Sequence, residues 1–299
     1  MQVYQYDAFS NTPNKGNPAG VVFRADGLSE KEMQETANKA GFNETAFLLK
    51  SENADLRIRY FSPGTEMDLC GHATVASIYA LFARNEFAEQ KSILIETKAG
   101  ILPIYIQALP GGDVQITMQQ ATPDFREFNG SLSELAASIG LTKEDIDDQL
   151  PVLYGSTGTW TLLIPIKSLE AFKKMEPKNQ LFPSILKEMP RASVHPFCLD
   201  AYDASADMHG RHFSSAYSGV VEDPVTGTAS GVMGAYYAQF VKPQRKDQLE
   251  IVVEQGDEMN KDGRVMVRVI NKDEQYEVEI SGSAVYVGEK HISLDGKKA

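Results

Sequence analysis

Two short stretches half a chain apart constrain this sequence most. Arg59-Tyr-Phe-Ser62 is followed, after a loop, by Asp68-Leu-Cys-Gly-His-Ala-Thr-Val-Ala-Ser77. Arg211-His-Phe-Ser214 is followed by Asp223-Pro-Val-Thr-Gly-Thr-Ala-Ser-Gly-Val232. Each reads as a strand, a loop with an acidic residue, and a glycine opening a helix rich in Ala, Ser and Tyr. The two arginines lie 152 positions apart and Gly71 and Gly227 lie 156 apart, so the second loop carries four extra residues. An echo at half the chain length predicts duplication into two similar strand–loop–helix domains. The alternative is chance recurrence of strand–Gly–helix junctions, and the shared R-x-F-S weighs against it.

A chain of 299 residues suits two domains of about 150 each. With 42% hydrophobic and 23% charged residues, either half can bury a core without disulfides or a structural metal. The net charge of −12 repels polyphosphate backbones and anionic membranes, so neither nucleic acid nor a membrane surface is expected as partner. A small anionic substrate remains compatible, because a few local donors outweigh a diffuse field. No apolar run approaches the roughly 20 residues a bilayer requires, and Met1–Ser10 has neither a basic nor an apolar leader region. Cys70 and Cys198 form no framework and no CxxC. A cytoplasmic protein is expected.

Along the chain, residues 2–9 read as a strand, 10–20 as a Gly/Asn/Pro loop and 21–23 as a strand. A helix follows over 29–41, with Ser29 as N-cap and Gly41 at its end. Residues 42–50 and 56–62 are strand-like, the Gly71 helix runs to about Asn85, and a hairpin turns near Gly111. Residues 121–130 have the composition of a linker, and 131–140 read as helix. Trp160 lies in a β segment. Two charged amphipathic helices are expected near 168–176 and 179–188, and strands over 192–203 and 209–215. The Gly227 helix extends to about Phe240, and four β segments finish the chain, with turns at 261–263, 271–275 and 281–283.

The chemistry concentrates at the two corners. A glycine at a helix start lets the backbone approach a ligand, and the exposed N–H groups there attract carboxylates. Glu44 stands in an otherwise apolar strand. Buried, it would have a raised pKa suited to proton transfer; on an edge strand it would simply face solvent. His72, in the first turn after Gly71, is expected neutral, and either orients a substrate or packs. Asp223 either caps a turn or accepts a proton from substrate, and Thr228 offers a hydroxyl beside a bound anion. Cys70, before a helix N-terminus, is a candidate nucleophile or base. The matching position in the second corner is Thr226, so no pair of thiols exists. His195, His209, His212 and His291 show no metal spacing, with no Glu near His209 in sequence, and no metal is expected. "NKGNPAG" lacks the order of a phosphate-binding loop.

The segments "DAFSNTPNKGNPAGVV", "NETAFL", "RYFSP…CGHAT", "EDPVTGTASG" and "EQGDEM…GRVMV" together resemble the PhzF (phenazine biosynthesis) isomerase family, in order from Asp7 to about Val267. "CGHAT" with "DPVTG[ST]A" is the specific part. The resemblance implies the diaminopimelate epimerase-like α+β fold. That fold has two pseudo-symmetric domains, each a curled, mostly antiparallel, barrel-like sheet around a central helix, with the active site in the cleft between them. Residues 1–121, joined by about 284–299, would form one domain and 122–283 the other. The resemblance implies Glu44 as catalytic acid/base, with His72 and Asp223 catalytic beside it, and Gly71, Gly227 and Thr228 binding substrate. Thr228 stands where the phenazine enzymes carry Ser. The added methyl narrows the pocket, so their substrate does not carry over. The cysteine-dependent epimerases of this fold use a thiol before the glycine in both halves, and here only Cys70 remains.

The expectation is therefore a cofactor-independent isomerase that moves a proton on a small carboxylic acid through Glu44. By resemblance it is a homodimer. The rivals are an epimerase or racemase using Cys70 with an unlike partner, and a non-catalytic metabolite-binding protein on the same fold.

Overall fold

The computed structural model describes residues 1–243, 247–272 and 275–294. The fold is α+β, rich in strands and sparse in helices, and divides into two compact units: Met1–Gln119 with Ser281–Ala299, and Gln120–Ile280.

In the first unit the strands neighbour one another in the order Ala284–His291, Gln2–Ala8, Asn17–Val22, Glu44–Leu49, Leu56–Phe61, Ser92–Thr97, Gly100–Ala108 and Val114–Gln119. The pairings run antiparallel, antiparallel, parallel, antiparallel, parallel, antiparallel, antiparallel. A parallel joint needs a crossover. Helix α1 (Glu30–Ala40) supplies the first and α2 (Gly71–Phe82) the second. Along α2, His72–Ile78, Ala80 and Leu81 are all buried, as expected of a helix that is apolar all round. It packs against the strands Gln2–Ala8, Asn17–Val22, Glu44–Leu49, Val114–Gln119 and Ala284–His291, and the small side chains of Ala73, Ala76 and Ala80 allow that close approach. On the other side of the sheet, Met33 and Ala37 of α1 pack with Val22, Phe47 and Phe61.

The second unit shows the same succession. Asp124–Glu127, Leu153–Ser156, Trp160–Pro165, Ser193–Cys198, the short strands Met208–Gly210 and His212–Phe213, Gln248–Gln255 and Gly263–Lys272 pair antiparallel, antiparallel, parallel, antiparallel, parallel, antiparallel. Gln275–Gly282 is a further strand. After α3 (Leu132–Ser138), the first parallel joint is bridged by α4 (Leu169–Phe172) and α5 (Phe182–Ile185). The second is bridged by α6 (Gly227–Tyr236), which continues as a π turn over Tyr237–Val241.

Four local expectations need correction. The loop predicted over 10–20 ends early, because Asn17-Pro-Ala-Gly20 already pairs with Gln5–Ala8. Gly20 is required there by space: a Cβ would lie 2.8 Å from Thr45 Oγ1 and 2.9 Å from the Phe42 ring. The predicted linker contains the strand Asp124–Glu127, which pairs with Leu153–Ser156. The two charged helices shrink to single turns. The carbonyls of Phe172 and Met175, which would continue α4, instead accept from Arg211 Nη1 at 2.9 and 3.3 Å, and Pro177 and Pro183 interrupt the rest. The strand predicted over 192–203 stops at Cys198, and that over 209–215 breaks at Arg211. The expected turn at 271–275 and the last five residues assigned to the first domain lie wholly or partly outside the described residues.

Candidate active site

The first corner is assembled within the first unit. Arg59 forks onto Glu66, with Nε to Oε1 at 2.6 Å and Nη2 to Oε2 at 2.9 Å. The fork pins the loop so that the chain reaches α2 with Cys70 as an extended N-cap that makes no side-chain cap bond. Thr74 donates to the Cys70 carbonyl at 2.7 Å and accepts from the Tyr60 hydroxyl at 2.6 Å, tying the helix start to the strand before it.

Glu44 opens an interior strand, flanked by Asn17–Val22 on one side and Leu56–Phe61 on the other. The edge-strand reading is thus wrong: its carboxylate reaches inward to His72, Oε2 to Nε2 at 3.2 Å, with only 17% of the Glu44 side chain exposed. Cys70 Sγ lies 3.5 Å from His72 Nδ1. Burial opposes a charge on His72, but the adjoining Cys70 sulfur and the Glu44 carboxylate outweigh it and raise the His72 pKa well above its ordinary value. This direction runs against the neutral imidazole expected from the helix N-terminus, because charged neighbours in contact exceed the partial charge of a helix end. Cys70 moves the other way for a nucleophile: burial raises its pKa, despite the opposing pull of His72. A carboxylate paired to an imidazole can accept a proton and pass on its consequences without leaving a lone charge buried.

The second corner lies in the second unit. Arg211 forks onto Glu222, Nε to Oε1 at 2.8 Å and Nη2 to Oε2 at 2.7 Å, and Thr226 is the extended N-cap of α6. Asp223 accepts a hydrogen bond from the Thr226 hydroxyl, so the carboxylate does serve a local turn. Gln255, 1% exposed, donates to the Asp223 carbonyl at 2.7 Å and accepts from Thr226 N–H at 3.2 Å. Thr228 is partly exposed, and its carbonyl accepts from Thr157 at 3.0 Å. Gly227 is buried in the first helical turn.

The structure thus brings Glu44 and His72 together, beside Gly71 and Cys70, and groups Asp223, Gly227 and Thr228 in a corner of their own unit. Sequence reasoning missed both Arg–Glu forks, although a signal exists. Glu66 follows its arginine by seven residues and Glu222 by eleven, a difference equal to the four-residue insertion in the second loop. Gln255 was equally unforeseen, and nothing local marks it. Two groups of potential metal-ligating side chains stand out among the described residues: Glu44 with Cys70 and His72, and His209 with Glu254 and Asp257. The Glu absent near His209 in sequence arrives from another strand, at 3.0 Å.

Comparison with known proteins gives one consistent picture. The profile of the PhzC-PhzF family, described as "Phenazine biosynthesis-like protein", matches residues 6–290. The chain is 50% identical to the uncharacterized isomerase YfhB of Bacillus subtilis (strain 168), over 95% of this chain and 96% of that one. It is 30% identical to the trans-2,3-dihydro-3-hydroxyanthranilate isomerase of Pseudomonas aeruginosa, over 96% and 98% of the two chains. A crystal structure of the Bacillus anthracis phenazine biosynthesis protein of the PhzF family superposes with a TM-score of 0.96 at 56% identity, covering 98% of this chain and 99% of that one.

Proposed function

The chain belongs to the phenazine biosynthesis-like PhzC-PhzF family and is an isomerase, and from that premise we propose that Glu44 is the group that carries a proton between two carbons of a small carboxylic acid. The observation that carries the reading is the Glu44–His72 contact at 3.2 Å, made from a strand whose remaining residues are mostly apolar. A base that must release its proton again needs a neighbour that adjusts to its charge. His72, held close and inclined to be cationic, stabilises the Glu44 carboxylate before proton uptake and orients the acid afterwards. Gly71 lets the backbone of the first turn of α2 approach the substrate.

The reading gives Asp223, Gly227 and Thr228 the substrate's other polar end. It takes the substrate as a small anionic acid, because helix starts favour carboxylates, and the relatives named for a cyclic amino acid set its size. The homodimeric and cofactor-independent parts of the reading come from family likeness. A Cys70-based epimerase is the less favoured alternative, since burial raises the thiol's pKa and so disfavours the thiolate that would have to act as base.

Solvent-exchange NMR tests the proposal. In D2O, wild type should place deuterium on one carbon of a small cyclic amino-bearing carboxylic acid found by screening analogues of trans-2,3-dihydro-3-hydroxyanthranilate. Glu44→Gln should bind the same compound and lose exchange by at least about 100-fold, while Cys70→Ala keeps it. Undiminished exchange in Glu44→Gln removes Glu44 from the mechanism, and loss in Cys70→Ala restores the thiol alternative.

A further inference from the structure

A second cluster of ionisable side chains lies wholly within the second unit, and the isomerase reading makes no use of it. His209 and Glu254 are both 0% exposed and are register partners on the parallel strands Met208–Gly210 and Gln248–Gln255, so they share a face. After Gln255 the chain turns sharply at Gly256, φ 99°, where a Cβ would lie 2.6 Å from Lys261 O and 2.8 Å from Pro224 O. No other residue fits that turn, and it folds Asp257 and Glu258 back over His209.

The polar contacts are specific. Glu258 Oε1 stands 3.2 Å from His209 Nε2, so that with the ring proton on Nε2 the Nδ1 lone pair faces the other two carboxylates. Glu254 Oε1 is 3.0 Å from Nδ1 and Asp257 Oδ2 is 3.9 Å from it. The three donor atoms all lie within 4.8 Å of one another. Donors about 2.1 Å from a common tetrahedral ion stand roughly 3.4 Å apart; the two edges at His209, 3.0 and 3.9 Å, bracket that spacing, and the Glu254–Asp257 edge lies within 4.8 Å, so side-chain adjustment draws the triangle onto a metal. Glu254 is further oriented by the amides of Tyr202 and Asp203, at 2.5 and 3.0 Å, and by Arg264 Nη2 at 3.3 Å. The rings of Phe172 and Tyr202 stand edge-on to His209, 4.8 and 4.9 Å from it, and wall the cluster.

A proton on Nδ1 would satisfy Glu254 but not the rest. Asp257 Oδ2 and Glu258 Oε2 are shut off from solvent, with no hydrogen-bond partner among the described residues. With the imidazole neutral, as a metal ligand must be, Glu254, Asp257 and Glu258 against Arg264 leave two negative charges, the charge that a divalent ion cancels, and even a protonated ring leaves one. We propose that His209, Glu254 and Asp257 bind one divalent transition-metal ion, with Glu258 holding the imidazole from behind. One imidazole nitrogen, two carboxylate oxygens and no sulfur suit Mn, Fe(II), Co or Zn rather than a soft monovalent ion. The ion would clamp the Asp257–Met259 turn to the strand that carries Gln255, whose amide holds Asp223 and Thr226, and so stiffen the second corner.

Titration of the full-length protein with Co2+ alone tests this. One equivalent should give the visible bands of cobalt at a low-symmetry nitrogen–oxygen site, without a near-ultraviolet thiolate band, and raise Tm by about 5 °C or more. Asp257→Asn, at a side chain 25% exposed and thus tolerant of change, should weaken binding by more than about tenfold and abolish the Tm gain. Glu258→Gln should weaken it less. Absence of cobalt bands at saturating Co2+, bands unchanged in Asp257→Asn, or a thiolate band marking Cys70 as the ligand would each overturn the assignment.

Discussion

Two histidine rings in contact can keep their hydrogen bond only while one of the facing nitrogens lacks a proton. His195 Nδ1 and His212 Nδ1 lie 3.1 Å apart, and His195 Nε2 faces the Met233 sulfur at 2.7 Å. His195 is wholly buried, and its pKa falls well below the ordinary value through burial and then the neighbouring histidine. Burial lowers His212 from 6.5 to about 4. The sign follows directly. Between pH 6.5 and 4 the unfolded chain takes up a proton that the folded one refuses, so stability that is full above pH 6.5 drains away as the pH falls to about 4. His212 is partly exposed, so its share is roughly 1–3 kcal/mol rather than the whole shift. Urea midpoints should decline across that window, and His212→Gln should flatten the decline; an unchanged slope in the variant would assign it elsewhere. His72, the same residue type, is pushed the opposite way. None of this was legible in the sequence, because what sets a histidine's charge is the partner across the fold. The carboxylate beside His72 sits 28 residues upstream in another strand.

Elements whose signals are local were readable. Ser29 and Glu32 form the capping box of α1, with Ser29 N–H donating to Glu32 Oε2 at 2.8 Å and Glu32 N–H to Ser29 Oγ at 3.3 Å, and Gly41 closes the helix. The hairpin near Gly111 and both corner helices likewise announce themselves through turn residues and composition. The turns of α4 and α5 were misread because charged, periodic segments look like helices until tertiary hydrogen bonds claim their carbonyls. Arg211 makes that claim, and with its fork to Glu222 it gives a test at this scale. The Arg211 and Glu222 side chains are 8% and 11% exposed, so Glu222→Ala leaves a cation stranded and should cost about 3 kcal/mol or more by denaturant midpoint. Arg59 and Glu66 repeat the geometry with one addition: Glu30 also meets Arg59 at 2.8 Å. Glu66→Ala should therefore cost less than Glu222→Ala. The reverse order would mean that Glu30 contributes nothing.

At the scale of the whole chain, the strand least informative about its own partner is the last. The alternation in Ala284–His291 predicts a half-buried strand, but not what it lies against, and its placement with the first domain came from family likeness rather than from its residues. In the structure it runs antiparallel to Gln2–Ala8 from Gln2↔His291 to Ala8↔Ala284. Beyond it, Met1 and Ile292 exchange hydrogen bonds, at 2.5 Å from the terminal amine to Ile292 O and 2.7 Å from Ile292 N to Met1 O. The unit that holds Glu44 and His72 is thus closed by a strand more than 270 positions downstream of the one it pairs with. Ending the chain at Gly282 would strip one whole edge of hydrogen bonds from Gln2–Ala8 and uncover α2, which the missing strand helps to wall. Single strands removed from a sheet edge leave unpaired backbone groups and exposed apolar faces that a domain of modest stability does not survive. Hydrogen exchange read by mass spectrometry should then show loss of protection across Gln2–Ala8, Asn17–Val22 and α2. The strands from Leu153–Ser156 to Gly263–Lys272, paired within their own unit, should retain theirs. Protection lost equally throughout would mean that the two units fold as one, whereas protection kept in Gln2–Ala8 would show that the returning strand is dispensable. On the expected outcome, the Glu44–His72 pair is lost although neither residue has been touched, because its geometry depends on a strand more than 200 positions downstream.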